Sequence, residues 1–208
     1  MWDHAGVSGS GERGAVADRG GRPALTSARE LAEVAQELFL ERGFENVSVD
    51  DIAAAAGVSR RTFFRYFSTK ADVLWVESPA ELARFRELLA AAPPEEPYAD
   101  VLCRAAPRAL SHPPERRTWA LHRAELLLTV PAVLEKATVR HTEWRRIATE
   151  FVAARRGSGP DDLVAIAVGH AVLAATVAAH EYWLAHPDQE LPDIMARFLH
   201  LLVPAGTG

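Results

Sequence analysis

Two short helical patterns joined by a single glycine constrain this chain more than any other feature of its sequence. Ser48, with Asp51 three residues later, has the form of a helix start, because each side chain can bond the other residue's backbone amide. The helix that follows ends at Gly57 after about two turns, and Ser59 can begin another. Two short helices with a tight glycine turn between them predict a helix-turn-helix, at about residues 48–67.

An amphipathic helix precedes this motif. Ser27 and Glu30 form the same reciprocal helix start, and Gly43 supplies a left-handed stop. Between them the apolar residues recur at helical spacing, at Leu31, Val34, Ala35, Leu38 and Phe39. The sequence therefore predicts an N-terminal unit of three helices.

The third helix has charge of one sign only. From Gly57 to Lys70 there are four cations and no acid, while Phe63 and Phe67 can hold one side of the helix in the core. The side chains left on the open face are Arg60, Arg61, Thr62, Phe64 and Arg65. Arginine can bond guanine with two donors, threonine can bond a base edge or phosphate, and phenylalanine can contact a thymine methyl. A merely solvated cationic face is the alternative, but the position on the second helix of the motif favours DNA contact.

Composition restricts the function classes. The formal net charge is −5, so any DNA contact must come from a local patch rather than from overall charge. The single Cys103 excludes a disulfide within the chain and a multi-cysteine metal site. The sequence lacks a nucleophile elbow, a phosphate loop, a dinucleotide fingerprint and a zinc-protease motif, and its histidines are scattered. We expect no enzyme activity, no cofactor and no metal.

The chain divides into three predicted segments. Residues 1–25 are rich in small residues and arginine and lack the apolar core of a signal peptide, which predicts a flexible arm. A helix-turn-helix domain follows over residues 26–70, and a second domain over residues 71–208.

One stretch, Leu163 to Leu184, is apolar enough to suggest a membrane span. It contains His170, His180 and Glu181 and is rich in alanine, which favours a buried helix in a dimer interface. We therefore expect a cytoplasmic protein without a membrane partner.

The N-terminal residues resemble the DNA-binding domain of TetR-family regulators. The resemblance covers residues 22–75 and rests on three runs, FLERGF at 39–44, SVDDIA at 48–53 and GVSRRTFFRYFSTK at 57–70. The family implies an all-helical homodimer, usually a repressor that leaves its operator when a small molecule enters the C-terminal domain. An activator of the same fold, and a helical ligand-binding protein without DNA binding, stay open as alternatives.

The resemblance also implies roles for individual residues. Arg60, Arg61 and Thr62 would read bases, whereas Tyr66 and Lys70 would hold phosphate. Ser48 could cap its helix and touch phosphate as well, and Arg22 belongs to a short basic arm that reaches the adjacent groove. The family often has tyrosine where this chain has Phe64, which can offer only apolar contact. The full predicted DNA-binding set is Arg22, Ser48, Ser59, Arg60, Arg61, Thr62, Phe64, Arg65, Tyr66 and Lys70.

More narrowly, the chain resembles the mycofactocin-regulator branch of this family, which has an acyl-CoA-type ligand domain. The runs that carry this resemblance are RRTFFRYF at 60–67, DVLW at 72–75, RELLAAAP at 86–93, LTVPAVL at 128–134 and EFVA at 150–153. It implies a small-molecule effector of the long-chain acyl-CoA type.

Helical spacing continues to the end of the chain, and no strand-like alternation persists. Breaks at proline and glycine divide the remainder into six more helices, at about Ser68–Ala92, Tyr98–Leu110, Glu115–Thr129, Pro131–Arg156, Asp161–Ala185 and Leu191–Leu202. The predicted fold is all-α with nine helices.

The eighth and ninth helices are expected to form the dimer interface. The eighth is apolar almost all round and carries small residues that permit close approach, so it requires burial on several sides. A two-fold axis would set the recognition helices about 34–36 Å apart and predicts a pseudo-palindromic double-stranded operator.

An effector pocket should be largely apolar with a few polar anchors. The candidate walls are Trp75, Trp119, Trp144, Tyr182 and Trp183, and the candidate anchors are His122, Arg123, His141 and His170. Aromatic residues at helical spacing are more often simply core, and His170 fits a hydrogen-bonded position in the dimer interface better than a ligand contact. Arg123 either pairs with Glu125 in the fold or meets an anionic ligand, and the sequence leaves both open.

Overall fold

The computed structural model describes residues 27–159 and 161–204, and within them the chain is all-helical with nine α-helices, which confirms the predicted fold class. The helices are α1 Ala28–Arg42, α2 Val49–Ala56, α3 Arg60–Tyr66, α4 Ser78–Ala90, α5 Tyr98–Ala109, α6 Arg117–Thr129, α7 Pro131–Arg155, α8 Leu163–Ala185 and α9 Leu191–Leu202. The predicted arm of residues 1–25, with Arg22, lies outside the described residues.

Local capping forms the first three helices. The hydroxyl groups of Ser27, Ser48 and Ser59 each accept a hydrogen bond from the amide three residues on, so every one of these helices begins at a serine cap. The first two of these caps are reciprocal, with a carboxylate that bonds back to the serine amide. Gly57 adopts the left-handed conformation, with φ of 69°, that the turn between α2 and α3 requires.

The predicted fourth helix, Ser68–Ala92, is wrong in one respect. The structure instead has a 3₁₀ segment at Lys70–Trp75, which we call the linker, and α4 begins only at Ser78. At the start of the linker, the carboxylate of Asp72 accepts hydrogen bonds from the amide and the hydroxyl of Thr69. A continuous helix is prevented by Pro79, which has no amide hydrogen and whose ring would clash with the carbonyl four residues earlier.

The apolar core has two parts. One part is formed by helices α4 to α9, and the other lies between the first three helices and the linker. Leu126 of α6 with Val133 and Ala137 of α7 belongs to this second part, so the N-terminal unit packs directly on the C-terminal helices.

Helix α8 is the centre of the C-terminal part and packs between α7 and α9. By length and composition alone it could cross a membrane, a test that core helices of soluble proteins also pass. Only 33% of its most apolar window is buried within the chain. Much of its apolar surface is therefore left for contacts outside this single copy.

Helices α7 and α8 approach each other closely at Gly169. A Cβ atom at this position would lie 2.9 Å from the backbone oxygen of Arg145 and 2.1 Å from Oγ1 of Thr149. We expect Gly169→Ala to lower the free energy of unfolding by about 1–3 kcal/mol, although alanine is the better helix former, because the two helices must move apart. Chemical denaturation measures this loss.

Gly159→Ala is the matched control for this substitution, because no atom lies within 4 Å of the Cβ position there. We expect no loss of stability in the control. Equal stability of the two variants would contradict the close packing of α7 on α8.

Candidate nucleic-acid interface and ligand cavity

Helix α3 presents its cationic side to solvent because two phenylalanines hold its other side. Phe63 is completely buried, and its ring centre lies 5.5 Å from that of Phe67. Phe64, one residue along the helix, is 44% exposed. The side chains of Arg61, Thr62, Phe64 and Arg65 line one shallow surface depression. The residue types predicted to contact DNA therefore share one accessible face.

The arginines of this face differ in their contacts. The guanidinium of Arg60 donates to Asp50 of α2 at 2.6 Å and lies over the ring of Phe64. Arg65 donates to the hydroxyl of Tyr66 at 3.0 Å. Arg61 is exposed and forms no hydrogen bond or ion pair with the part of the chain that the structure describes. Of the three, Arg61 is thus the most available to a partner.

The remaining predicted DNA-binding residues are placed around α3. Thr62 Oγ1 and Ser59 Oγ lie 2.9 Å apart at the start of the helix, and Ser48 is exposed at the start of α2. Lys70 has a structural contact, since its ammonium group donates to the carbonyl oxygens of Phe44 and Val47. A contact with phosphate would have to use its remaining donor.

Polar contacts join the N-terminal unit to the C-terminal helices. Lys136 of α7 donates to Asp72 in the linker at 2.9 Å. Gln36 of α1, which is buried, donates to the carbonyl oxygen of Trp119 at 2.8 Å. These contacts connect α7 to the linker and α6 to α1.

A cavity of about 370 Å³ lies between the linker and helices α4, α6, α7 and α8. We call it the effector cavity. Its lining residues are Trp75, Ser78, Glu81, Leu110, Arg123, Ala124, Leu127, Leu128, Leu134, Ala137, Arg140, His141, Trp144, Leu173, Thr176, Val177, His180 and Glu181. The volume lies in the range of small-molecule sites, and the mixture of many apolar and few polar groups is typical of them.

A buried ion pair forms the polar wall of this cavity. Arg123 donates to both carboxylate oxygens of Glu81, at 2.6 and 3.2 Å, and through Nε to the carbonyl oxygen of Leu74 in the linker. Glu125 lies on the exposed side of α6. Arg123 is therefore paired within the fold, with Glu81 rather than with Glu125, and it connects the cavity to the linker.

Titratable groups around this pair have displaced pKa values. Burial raises the pKa of Glu81, but the charge and hydrogen bonds of Arg123 outweigh burial and hold the pKa below its usual value. Burial lowers the pKa of His112 to about 4, and that of His180 also falls through burial. Both histidines are consequently neutral near pH 7, and the Glu81 carboxylate is charged.

Four of the nine predicted ligand residues line the effector cavity, namely Trp75, Arg123, His141 and Trp144. The other five lie elsewhere. Trp119 packs under Arg116, Trp183 lines a different, smaller cavity, and Tyr182 stacks on His186. His122 does not line the effector cavity, and His170 is exposed next to Arg145. The sequence analysis did not identify Glu81 and His180 as lining residues. Glu81 lies on the same buried side of α4 as Phe85, and this spacing could have indicated a buried carboxylate.

Two family models match the chain. The model described as "Bacterial regulatory proteins, tetR family" matches residues 26–74, and that described as "MftR C-terminal domain" matches residues 96–206. A mycofactocin biosynthesis transcriptional regulator of Mycobacterium tuberculosis (strain ATCC 25618 / H37Rv), MftR, is 34% identical over 178 residues, which are 85% of this chain and 89% of the relative.

Solved structures share the fold. A TetR-family regulator from Syntrophomonas wolfei superposes with a TM-score of 0.63 at 15% identity, over 84% of this chain and 91% of the other. FadR from Thermus thermophilus, a TetR-family repressor solved in complex with lauroyl-CoA, superposes with a TM-score of 0.53 at 26% identity, over 88% of this chain and the whole of the other.

Proposed function

This chain belongs to the TetR family of transcriptional regulators, and we propose that it is a homodimeric repressor that a long-chain acyl-CoA releases from its operator. In this proposal residues 26–70 form the DNA-binding domain, and residues 71–208 bind the effector and dimerise. Such a regulator acts in the cytoplasm, and its activity is binding rather than catalysis.

The exposed cationic face of α3 carries the DNA part of the proposal. It lies on the second helix of the helix-turn-helix, and its opposite side is anchored by the buried Phe63, so its orientation is fixed. Arg60, Arg61 and Thr62 would contact base edges, with apolar contact from Phe64. Phosphate contacts would come from Ser48, Ser59, Arg65, Tyr66 and Lys70, and Arg22 would reach the adjacent groove.

The apolar surface that α8 and α9 leave uncovered supports the proposed homodimer. Leu163 of α8 and Leu201 of α9 are each 79% exposed, and Ile166 and Leu202 are also exposed. A second copy, related by a two-fold axis, would cover these side chains with the same surface. It would also present two α3 helices to successive major grooves of a pseudo-palindromic site.

The effector part rests on the cavity and on the relatives. The structure of FadR from Thermus thermophilus contains lauroyl-CoA, and the cavity here combines apolar walls with a cation. Arg140 is half-buried in the cavity wall and forms no ion pair with the described residues. An acyl chain would lie along the leucines, and Arg140 would face a negatively charged group of the effector. The ligand would favour a conformation in which the spacing of the two DNA-binding domains no longer matches the operator.

Fluorescence anisotropy with labelled DNA from upstream of the protein's own gene tests the proposal. We expect salt-sensitive binding that exceeds binding to a random duplex and that stearoyl-CoA weakens. The matched control is coenzyme A without an acyl chain, which should not release the DNA. Selective binding that acyl-CoA leaves unchanged would contradict the effector, whereas a failure to select any duplex from a random library would contradict the regulator.

A further inference from the structure

A second, smaller cavity lies next to the effector cavity. This side cavity has a volume of about 130 Å³ and lies where the end of α5 meets α6, the end of α8 and the start of α9. Leu110 lines both cavities. His112 lines the side cavity, and its Nε2 atom lies 3.9 Å from Oε1 of Glu81 on the effector-cavity side. Leu110 and the contact of His112 with Glu81 therefore form the partition between the two spaces.

The side cavity has mainly apolar walls, and its charges are compensated. Leu110, Ala120, Trp183 and Leu191 contribute to its lining. Its cation, Arg117, forms an ion pair with Glu190 and donates to the carbonyl oxygens of Pro187 and Gln189. These contacts occupy the guanidinium and link α6 to the segment that precedes α9. A hydrocarbon group fits such a space better than an anion does.

We propose that the side cavity receives the terminal methyl end of the effector's acyl chain, and that Leu110 sets the longest chain the protein accepts. This inference rests on the proposed acyl-CoA effector. Leu110 is buried at the C-terminal end of α5 and lines both cavities. A shorter side chain at this position joins the cavities and lets additional methylene groups enter.

Chain-length preference is the measurement that tests the assignment. The affinities of lauroyl-CoA, palmitoyl-CoA and stearoyl-CoA are obtained from quenching of tryptophan fluorescence, because Trp75 and Trp144 line the effector cavity. Each additional buried methylene contributes about fourfold in affinity. We expect Leu110→Ala to raise the ratio of stearoyl-CoA to lauroyl-CoA affinity by about tenfold or more over the wild type. Leu110→Val should raise it by about twofold to fourfold.

Leu128→Ala is the matched control, because Leu128 lines the effector cavity but not the side cavity. It should weaken all three ligands and leave their ratio unchanged. Circular dichroism establishes which variants are folded. If Leu110→Ala does not fold, Leu110→Val, which loses only one methylene, tests whether Leu110 sets the chain-length preference. An unchanged ratio in the folded Leu110 variants, or an equal change in Leu128→Ala, overturns the assignment. If the wild type binds none of the three ligands, the proposed effector class itself fails.

Discussion

Replacing Arg123 with methionine is expected to lower the free energy of unfolding by about 3–5 kcal/mol. The side chains of Arg123 and Glu81 are only 8% and 5% exposed, so neither charge can be solvated if its partner is removed. Methionine fills much of the same space but leaves the carboxylate of Glu81 uncompensated and removes the donor to the carbonyl of Leu74. Thermal unfolding should show a midpoint lower by roughly 6–20 °C.

Two variants separate the loss of this pair from a general effect of the substitution. Arg108→Met removes a cation from the exposed side of α5 and should leave the midpoint unchanged within about 2 °C. The double variant Glu81→Leu with Arg123→Met replaces both charges by apolar groups and should recover most of the stability. If Arg123→Met alone unfolds like the wild type, the buried ion pair does not exist as described.

The N-terminal helices could be predicted from sequence because their signals are local. The starts of α1, α2 and α3 each depend on a serine and on a residue three positions later, which are adjacent in any helix that begins there. The predicted start of the fourth helix at Ser68 is wrong because Pro79 is compatible only with the first turn of a helix, and α4 accordingly begins at Ser78.

The partner of Arg123 depends on the tertiary fold, although the sequence alone already argues against Glu125. Residues two positions apart lie on different sides of a helix, so Glu125 was a poor partner from the start. Glu81 lies on another helix, 42 positions earlier in the chain, and only the tertiary fold brings the two groups together.

The walls of the effector cavity were only partly predictable for a related reason. Helix α8 is apolar almost all round, so its sequence has no periodicity to show which side faces the cavity. Its His180 faces the effector cavity, whereas Trp183, three positions on, faces the side cavity. Aromatic residues therefore indicated that apolar space exists, but the helix packing decides which of them line it.

Replacing Arg61 with alanine is expected to weaken binding to the operator by about 1–3 kcal/mol, or roughly 5-fold to 150-fold, if this residue reads a guanine. Arg61 is exposed on α3 and has no competing contact within the described residues, so its donors are available to a base edge. Arg108→Ala changes the net charge equally but lies on α5, and it should leave affinity for the operator nearly unchanged. Anisotropy titrations with operator and with random DNA measure both variants.

The comparison of the two duplexes distinguishes base reading from phosphate contact. A residue that bonds a base edge contributes to operator binding and little to binding of random DNA, so Arg61→Ala should reduce the ratio between the two affinities. A phosphate contact would weaken both duplexes equally and would make the salt dependence less steep. If Arg61→Ala binds the operator as tightly as Arg108→Ala does, the exposed face of α3 does not read DNA through this residue, and the assignment of its base contacts is wrong.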